Sequence, residues 1–472
     1  MPAEIDLSGV QRGSVMAPAG CGKTQLIADT LEAHNEAKPI LILTHTNAGV
    51  AALRARLQRA RIQSSRYQLA TLDGFAMRLI SKFPARSGHD PRILLLDNRG
   101  QDYPAIRNFA GHLLSNGHIS HVIRASYSRL LVDEYQDCNQ SQHAMVTWLA
   151  QSIATCVMGD PMQAIFGFGT NELVNWGNDV IPQFPAVGAL NTPWRWRRAN
   201  TDHFGRWLLD VRQPLAAGEG IDLRARPAEV EWVPIQAATA DAQRRSAAQV
   251  RLRDGETVLI IGDAASPTSR FRLTSQTPGA TAVENVELTE MMSFARSFDP
   301  ASDRALSMII GLAGSVMTGV GAAALTSRIV TISAGRNRTP PTDIEQRALV
   351  FQQAPSFVAA AHLLENFANQ AGTHLYRPEI FRACLSALRM AASGSHSLAE
   401  AALQVRERNR LLGRPLSRRS VGSTLLLKGL EADIAVILNP AQMDANNLYV
   451  AMTRGAKRLV ICSETPILGR RR

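Results

Sequence analysis

The sequence predicts an α/β protein with two parallel-sheet units, the second interrupted by a helical module. Three observations carry this. Short apolar runs alternate with amphipathic stretches through the first 200 residues. The alternation returns in VEWVPI, TVLIIGD, ADIAVIL and KRLVICS. Between Asn285 and Arg414, Ala- and Leu-rich segments dominate instead: FVAAAHLLENFANQA, IFRACLSALRMAA and LAEAALQVRERNRLL. Apolar runs spaced by helical patterns imply parallel strands covered by helices, with chemistry at the strand ends. At 472 residues the chain exceeds one compact core and suits two to four domains.

Taken in order, the apolar pair Val15-Met16 leads into APAGCGKT. PILILTHT then reads as a buried strand followed by a helix through AGVAALRARLQRA, and SRLLVDE and ATCVMGD repeat the strand-then-polar-turn pattern. The uncharged stretch Ala305–Leu325 has the length of a membrane span. Its Gly, Ala, Ser and Thr gain little in lipid, so it reads as tightly packed internal helix. Hydrophobic content of 45% and charged content of 19% exclude a disordered chain. A net charge of +11 sets up a positive field, and the first partner class it suggests is a polyanion such as nucleic acid. Five cysteines without paired spacing fit reduced thiols in the cytoplasm and argue against a disulfide scaffold or a zinc site. The N-terminal residues lack the apolar run of a secretory signal.

Ala17, Pro18, Ala19, Gly20, Cys21, Gly22, Lys23 and Thr24 form a loop of small residues between a strand and a helix. In such a loop, backbone N–H groups and the helix N-terminus surround phosphate oxygens. Lys23 would neutralise the β and γ phosphates, and the Thr24 hydroxyl would hold Mg²⁺. The usual first glycine is Ala17 here. SRLLVDEYQD delivers Asp133 and Glu134 to a strand end, Asp133 for the metal and Glu134 as general base toward an attacking water. In CVMGDPMQAIFGF, Gln163 can sense a γ phosphate; Phe166 and Phe168 either stack on unpaired bases or fill a core.

These segments together resemble the UvrD/Rep-type DNA helicases of superfamily one, from Ala17 to about Leu459. APAGCGKT resembles motif I, and LTHTNAGVAAL the DNA-contacting motif Ia, which implies Thr46 and Asn47 at the strand. ATLDGFAMRL resembles the next DNA-contacting motif, implying Thr71 and Phe75. VDEYQD and GDPMQAIFGF resemble motifs II and III, and LNTPWRWRR motif IV, with Trp194 on adenine and Arg195 on the γ phosphate. STLLLKGLEAD resembles motif V, with Thr424 near DNA and Gly429 and Glu431 at the nucleotide. NNLYVAMTRGAKRL resembles motif VI, with Arg454 as arginine finger.

The resemblance implies two RecA-like domains with helical insertions. Residues 1–75 and 129–200 would form ATP-binding domain 1A, 76–128 a short insertion 1B, 201–284 and 415–472 domain 2A, and 285–414 insertion 2B. It implies ATP and Mg²⁺ as cofactors, single-stranded DNA and single/double-strand junctions as partners, no membrane, a cytoplasmic location, and 3′-to-5′ movement driven by domain closure. The alternative is a DNA-sensing ATPase subunit regulating a separate nuclease, as in Gabija-type anti-phage systems. The sequence departs from the family at four places. Gln11 lies only twelve residues before Lys23, Leu425 replaces a common His, Asn446-Asn447 replace basic residues, and the first insertion is short.

Overall fold

The computed structural model describes residues 5–167, 172–411 and 416–469. Phe168 and the terminal arginines Arg470–Arg472 lie outside the described residues. The chain divides into two compact units. The first holds residues up to Glu231 with Ala441–Lys457 and the segment from Pro466; the second holds Trp232–Pro440 and Arg458–Thr465.

The first unit is built on a six-stranded sheet of β1 (Arg12–Met16), β2 (Ile40–Thr44), β3 (Tyr67–Thr71), β4 (Arg129–Val132), β5 (Ala154–Gly159) and β6 (Ala186–Ala189). Its order is β3-β2-β4-β5-β1-β6. Every pairing is parallel, so all six carboxyl ends share one edge. β2 is buried along its whole length, as a strand covered on both faces should be. One face packs Leu26, Ile27, Leu31, Leu53 and Leu57 from α1 (Lys23–Ala33) and α2 (Asn47–Arg59). The other packs Leu72, Phe75, Leu79 and Ile80 of α3 (Leu72–Lys82) with helix Arg99–Ser115 and helix Gln140–Leu149. A short strand, β7 (Ile221–Asp222), also belongs here.

The second sheet contains β8 (Val230–Pro234), β9 (Val258–Ile261), β10 (Ala280–Ala282), β13 (Arg419–Gly422), β14 (Ala432–Ile437) and β15 (Gly455–Ser463). Its order is β10-β13-β9-β14-β15-β8, with β10, β13, β9 and β14 mutually parallel. β11 (Met317–Thr318) and β12 (His374–Leu375) form an antiparallel pair within the helical module. In the first unit, β16 (Ile467–Leu468) pairs antiparallel with β7. The expected α/β architecture of two parallel-sheet units with helical insertions is therefore present.

Among the described residues, seven helices lie between β10 and β13 and form a module with its own core, in which Met291, Ile309, Ala313, Phe367, Ile380 and Leu388 are buried. Ala305–Leu325 falls here. It makes a twelve-residue helix ending at Val316, then β11, then the start of helix Ala322–Ser333. Among the described residues no helix is long and apolar enough to cross a membrane.

The compact units do not follow the boundaries expected from the family. Residues 201–231 and 441–457, expected in the second RecA-like domain, pack in the first unit. The cause is apolar: helix Ala445–Met452 buries Leu448, Tyr449, Val450 and Met452 completely or nearly so, and helix Asp202–Asp210 buries Phe204 and Leu208.

Candidate nucleotide site

Four loops leave the carboxyl edge of the first sheet side by side, after β1, β4, β5 and β6. The first is the phosphate loop. Ala17 N–H donates to the Gly159 carbonyl at 2.8 Å, tying the loop to the neighbouring strand end. Gly20 (φ +69°) and Gly22 (φ +96°) occupy the left-handed region, where a side chain would be strained. A Cβ on Gly20 would also fall 2.7 Å from the Trp196 ring and 2.9 Å from Arg195 Cβ. α1 begins at Lys23 without a side-chain cap or an acidic first turn, so its amide donors and positive end are left for an anion.

β4 supplies the carboxylates. Asp133 N–H donates to Leu43 O at 2.8 Å as the strand ends. Glu134 then turns into the left-handed region (φ +56°), a conformation that costs about 1 kcal/mol or more in a non-glycine residue and concentrates at functional sites. Lys23 Nζ lies 3.1 Å from Asp133 Oδ1 and also pairs with Glu134 Oε1. Burial alone would depress the Lys23 ammonium, but the two carboxylates outweigh it and hold its pKa above the ordinary lysine value. Burial raises the Asp133 carboxyl above its usual range, against the pull of Lys23.

The third loop joins this cluster through Gln136. Its Nε2 donates to Glu134 Oε2 at 2.6 Å, and its Oε1 accepts from Asp160 N–H at 3.0 Å. Gln163 Nε2 donates to the buried Asp160 Oδ2 at 2.8 Å. Thr24 Oγ1 accepts from Arg56 at 2.9 Å. The fourth loop brings Trp194 and Arg195 to the phosphate loop: Arg195 N–H donates to Gly20 O at 3.1 Å, and Trp194 Cδ1 lies 3.0 Å from where a Gly22 Cβ would stand. The Arg195 guanidinium donates to Thr453 O at 2.6 Å, immediately before Arg454. Arg454 is buried, its Nε donating to Val450 O at 2.8 Å. Both arginines thus belong to the unit that holds Lys23. For Arg195 this agrees with the expected bounds of the first domain; Arg454, expected in the second, lies instead on a segment that packs in the first unit.

The DNA-contacting expectations fare unevenly. Thr46 and Thr71 are helix caps, accepting from Gly49 N–H and Gly74 N–H at 3.0 Å each. Asn47 is exposed at the start of α2. Phe75 is corrected: it is 1% exposed, packed edge-on to Tyr127 at 6.4 Å, and offers no face to a base. Phe166 is half-buried, its ring 5.4 Å from His45. In the second unit Thr424 is buried at the start of a one-turn helix, Gly429 follows it, and Glu431 is exposed just before β14. Sequence reasoning missed Arg56 and Arg212, whose partners Thr24 and Asp160 lie 32 and 52 residues away.

A glycine-rich loop, its lysine and two strand-end carboxylates on a parallel sheet define a P-loop nucleotide-binding unit. Residues 8–110 and 101–177 match the family model of the UvrD/REP helicase N-terminal domain, in line with the resemblance that the motifs carry. The match ends before Trp194. An 80-residue stretch is 32% identical to an ATP-dependent helicase/nuclease subunit of Oenococcus oeni, covering 17% of this chain and 7% of that protein. Another of 71 residues is 34% identical to the protein of the same description from Leuconostoc mesenteroides subsp. mesenteroides, covering 15% and 6%. The matches thus span less than a tenth of these relatives. Among solved structures, an Arterivirus nonstructural protein 10 helicase in complex with DNA aligns at TM-score 0.32 and 8% identity over 96% of this chain and 61% of its own. Pif1 helicase from Candida albicans aligns at 0.28 and 12% over 52% of each. Likeness at this level is too distant to assign a role to any residue.

Proposed function

We propose that the chain is an ATP-dependent DNA helicase or translocase acting on single-stranded DNA and single/double-strand junctions. The observation that supports it best is the cluster of Lys23, Asp133 and Glu134 beside a loop braced by Trp194 and Arg195, inside a segment that matches a helicase family. Phosphoryl transfer needs positioned positive charge and a held water more than covalent chemistry. Lys23 would take the β and γ phosphates, Glu134 the proton of the attacking water, and Arg195 and Arg454 the charge developing at the γ phosphate. Gln163 would report that phosphate, and Trp194 would stack on the base. The hydroxyl of Thr24 and the carboxylate of Asp133 are hard oxygen donors suited to Mg²⁺, which supplies charge neutralisation at the phosphates when bound with ATP.

The finer reading is 3′-to-5′ travel driven by closure of the two RecA-like domains, in which Glu431 and Gly429 meet the nucleotide and Thr424 the DNA. It rests on motif order. A cytoplasmic location and a nuclease partner are part of the same proposal, the partner being supported by the names of the two relatives. The test is ATP turnover with and without single-stranded DNA, followed by unwinding of duplexes tailed at either end and recovery of companions from cells. DNA should stimulate turnover, and Lys23→Ala should abolish it. Turnover indifferent to DNA, or an active Lys23→Ala protein, would end the proposal.

A further inference from the structure

Asp160 is fully buried, and a lone buried carboxylate is costly. Here Arg212, at the start of helix Arg212–Ala217, meets it with two parallel bonds: Nη1 to Oδ2 at 2.7 Å and Nη2 to Oδ1 at 2.6 Å. That fork is the geometry in which arginine fixes a carboxylate in both position and plane. Asp160 uses what remains of its two oxygens on the turn it opens. Oδ1 accepts from Met162 N–H at 3.1 Å and Oδ2 from the Gln163 side chain at 2.8 Å. Arg212 therefore holds the acceptor that holds Gln163.

The same guanidinium reaches a second element. Nη1 donates to the Tyr449 hydroxyl at 3.0 Å, and the group stands 5.0 Å from the centroid of the Tyr449 ring. Tyr449 lies on helix Ala445–Met452, one turn after Asn446, whose Nδ2 donates to Pro161 O at 3.1 Å and Ala164 O at 3.0 Å. Asn446 thus brackets the Gln163 turn from both sides. The helix ends at Met452, and Thr453 and Arg454 follow. Asn446 stands where the family has basic residues. Its neutral amide donates to two backbone carbonyls here, an arrangement that no phosphate contact is needed to explain.

We propose that Arg212 is a positioning residue for ATP hydrolysis: through Asp160 it fixes the side chain of Gln163, and the Tyr449 hydroxyl and ring hold the guanidinium in place for that task. The inference rests on the hydrolytic reading given above and deepens it. Arg212 touches no reacting atom; its effect passes through Gln163. Arg212→Lys keeps the charge but loses the fork and the planar contact with Tyr449. Misplacing a group that acts on the transition state by ~1 Å costs up to ~10²-fold in turnover.

The experiment is steady-state ATP hydrolysis by the full chain with single-stranded DNA, comparing wild type, Arg212→Lys, Gln163→Ala and the double variant. Arg212→Lys should lower kcat at least ~10-fold while KM changes by less than ~3-fold, the pattern of an interaction realised in the transition state. In the Gln163→Ala background the same change should lower kcat no further, because the group through which Arg212 acts is gone. Multiplying losses, or an unchanged kcat, would overturn the inference. Should Arg212→Lys fail to fold, Tyr449→Phe, which removes only a hydroxyl, enters the same cycle. It is expected to lower kcat in the wild-type background and not in Gln163→Ala; equal losses in both would overturn the inference. Lys23→Ala is run alongside: if it hydrolyses ATP normally the hydrolytic reading itself fails, whereas a dead Lys23→Ala protein with multiplying Arg212 and Gln163 effects removes only the role given to Arg212.

Discussion

Replacing Lys23 with Met should destabilise the nucleotide-free protein, and by an amount that depends on pH in a stated direction. The ammonium lies between two carboxylates, with side-chain exposures of 13% for Lys23, 13% for Asp133 and 32% for Glu134. Removing one partner of a buried ion pair costs about 3–5 kcal/mol. The exposed part of Glu134 stays solvated, which brings the expected loss to about 2–3 kcal/mol near pH 7.5. For a unit of this size that corresponds to a fall in Tm of roughly 4–12 °C. The sign with pH follows from Asp133, whose carboxyl is raised by burial even with Lys23 beside it. A carboxyl raised in the folded state favours folding at low pH, and that contribution is lost as pH rises through the folded value. In wild type the raised Lys23 ammonium is charged across this whole range and offsets the loss. In Lys23→Met the Glu134 N–H still donates to Asp133 Oδ1, but no charge offsets the loss except a proton. The Tm difference between variant and wild type should therefore be largest near neutrality and shrink as pH falls toward 5. Thermal unfolding of both proteins from pH 5 to 8 without nucleotide measures this. A difference that is flat across the range, or widens on acidification, would refute the coupling of these three groups.

Phe75→Ala should behave as a core deletion, costing about 3–5 kcal/mol in urea unfolding, while Phe75→Leu should keep its affinity for single-stranded DNA in a fluorescence titration. A stable Phe75→Ala protein with weakened DNA binding would restore the family expectation for this residue. Thr46→Ala removes the cap of α2 and should cost about 1 kcal/mol, whereas Thr46→Ser should recover most of it in the same assay. In the second unit, Arg377 is 3% exposed, bonds Glu284 at 2.6 and 3.0 Å, and lies 3.8 Å from the Phe271 ring centroid. Arg377→Met should cost about 3–5 kcal/mol by removing the two bonds that Arg377 makes to the buried Glu284 carboxylate, and adding Glu284→Gln should return a large part of that in thermal unfolding.

What could be read from the sequence was what local pattern controls. PILILTHT and SRLLVDE become β2 and β4 because runs of Leu, Ile and Val bury both faces of a parallel strand. FVAAAHLLENFANQA becomes a helix of the inserted module, capped by Ser356. Phe75 is also legible from periodicity: with Leu72, Ala76 and Leu79 it forms an apolar stripe at helical spacing. The resemblance to a DNA-contacting motif pointed the other way, and packing decided. β6 (AVGA) lacked a signal because an edge strand of small residues has almost no apolar pattern. The placement of 441–457 in the first unit and the pairing of Arg212 with Asp160 were not legible at all. Both depend on which surfaces meet after the chain has folded back, and no local propensity encodes that.

The run Trp194-Arg195-Trp196-Arg197-Arg198 shows how such surfaces turn a repetitive sequence into distinct roles. From composition the two tryptophans are equivalent. In the fold Trp196 is 1% exposed, edge-on to Phe204 at 6.0 Å, with Nε1–H donating to Gly455 O at 3.0 Å. A buried indole needs that acceptor, and having it fixes the rotation of the short helix Trp194–Arg198. With Trp196 seated, the preceding residues face the phosphate loop: Arg195 N–H on Gly20 O, Trp194 against Gly22. Arg197 and Arg198 are left exposed, Arg197 bonding Asp202 at 2.8 Å. The acceptor that orients Trp196 comes from the residue after Arg454, and Arg195 binds the residue before it. The Arg195 guanidinium and the Trp196 indole are therefore both held by the backbone that flanks Arg454, so a change that unseats Trp196 should release Arg195 from that segment as well.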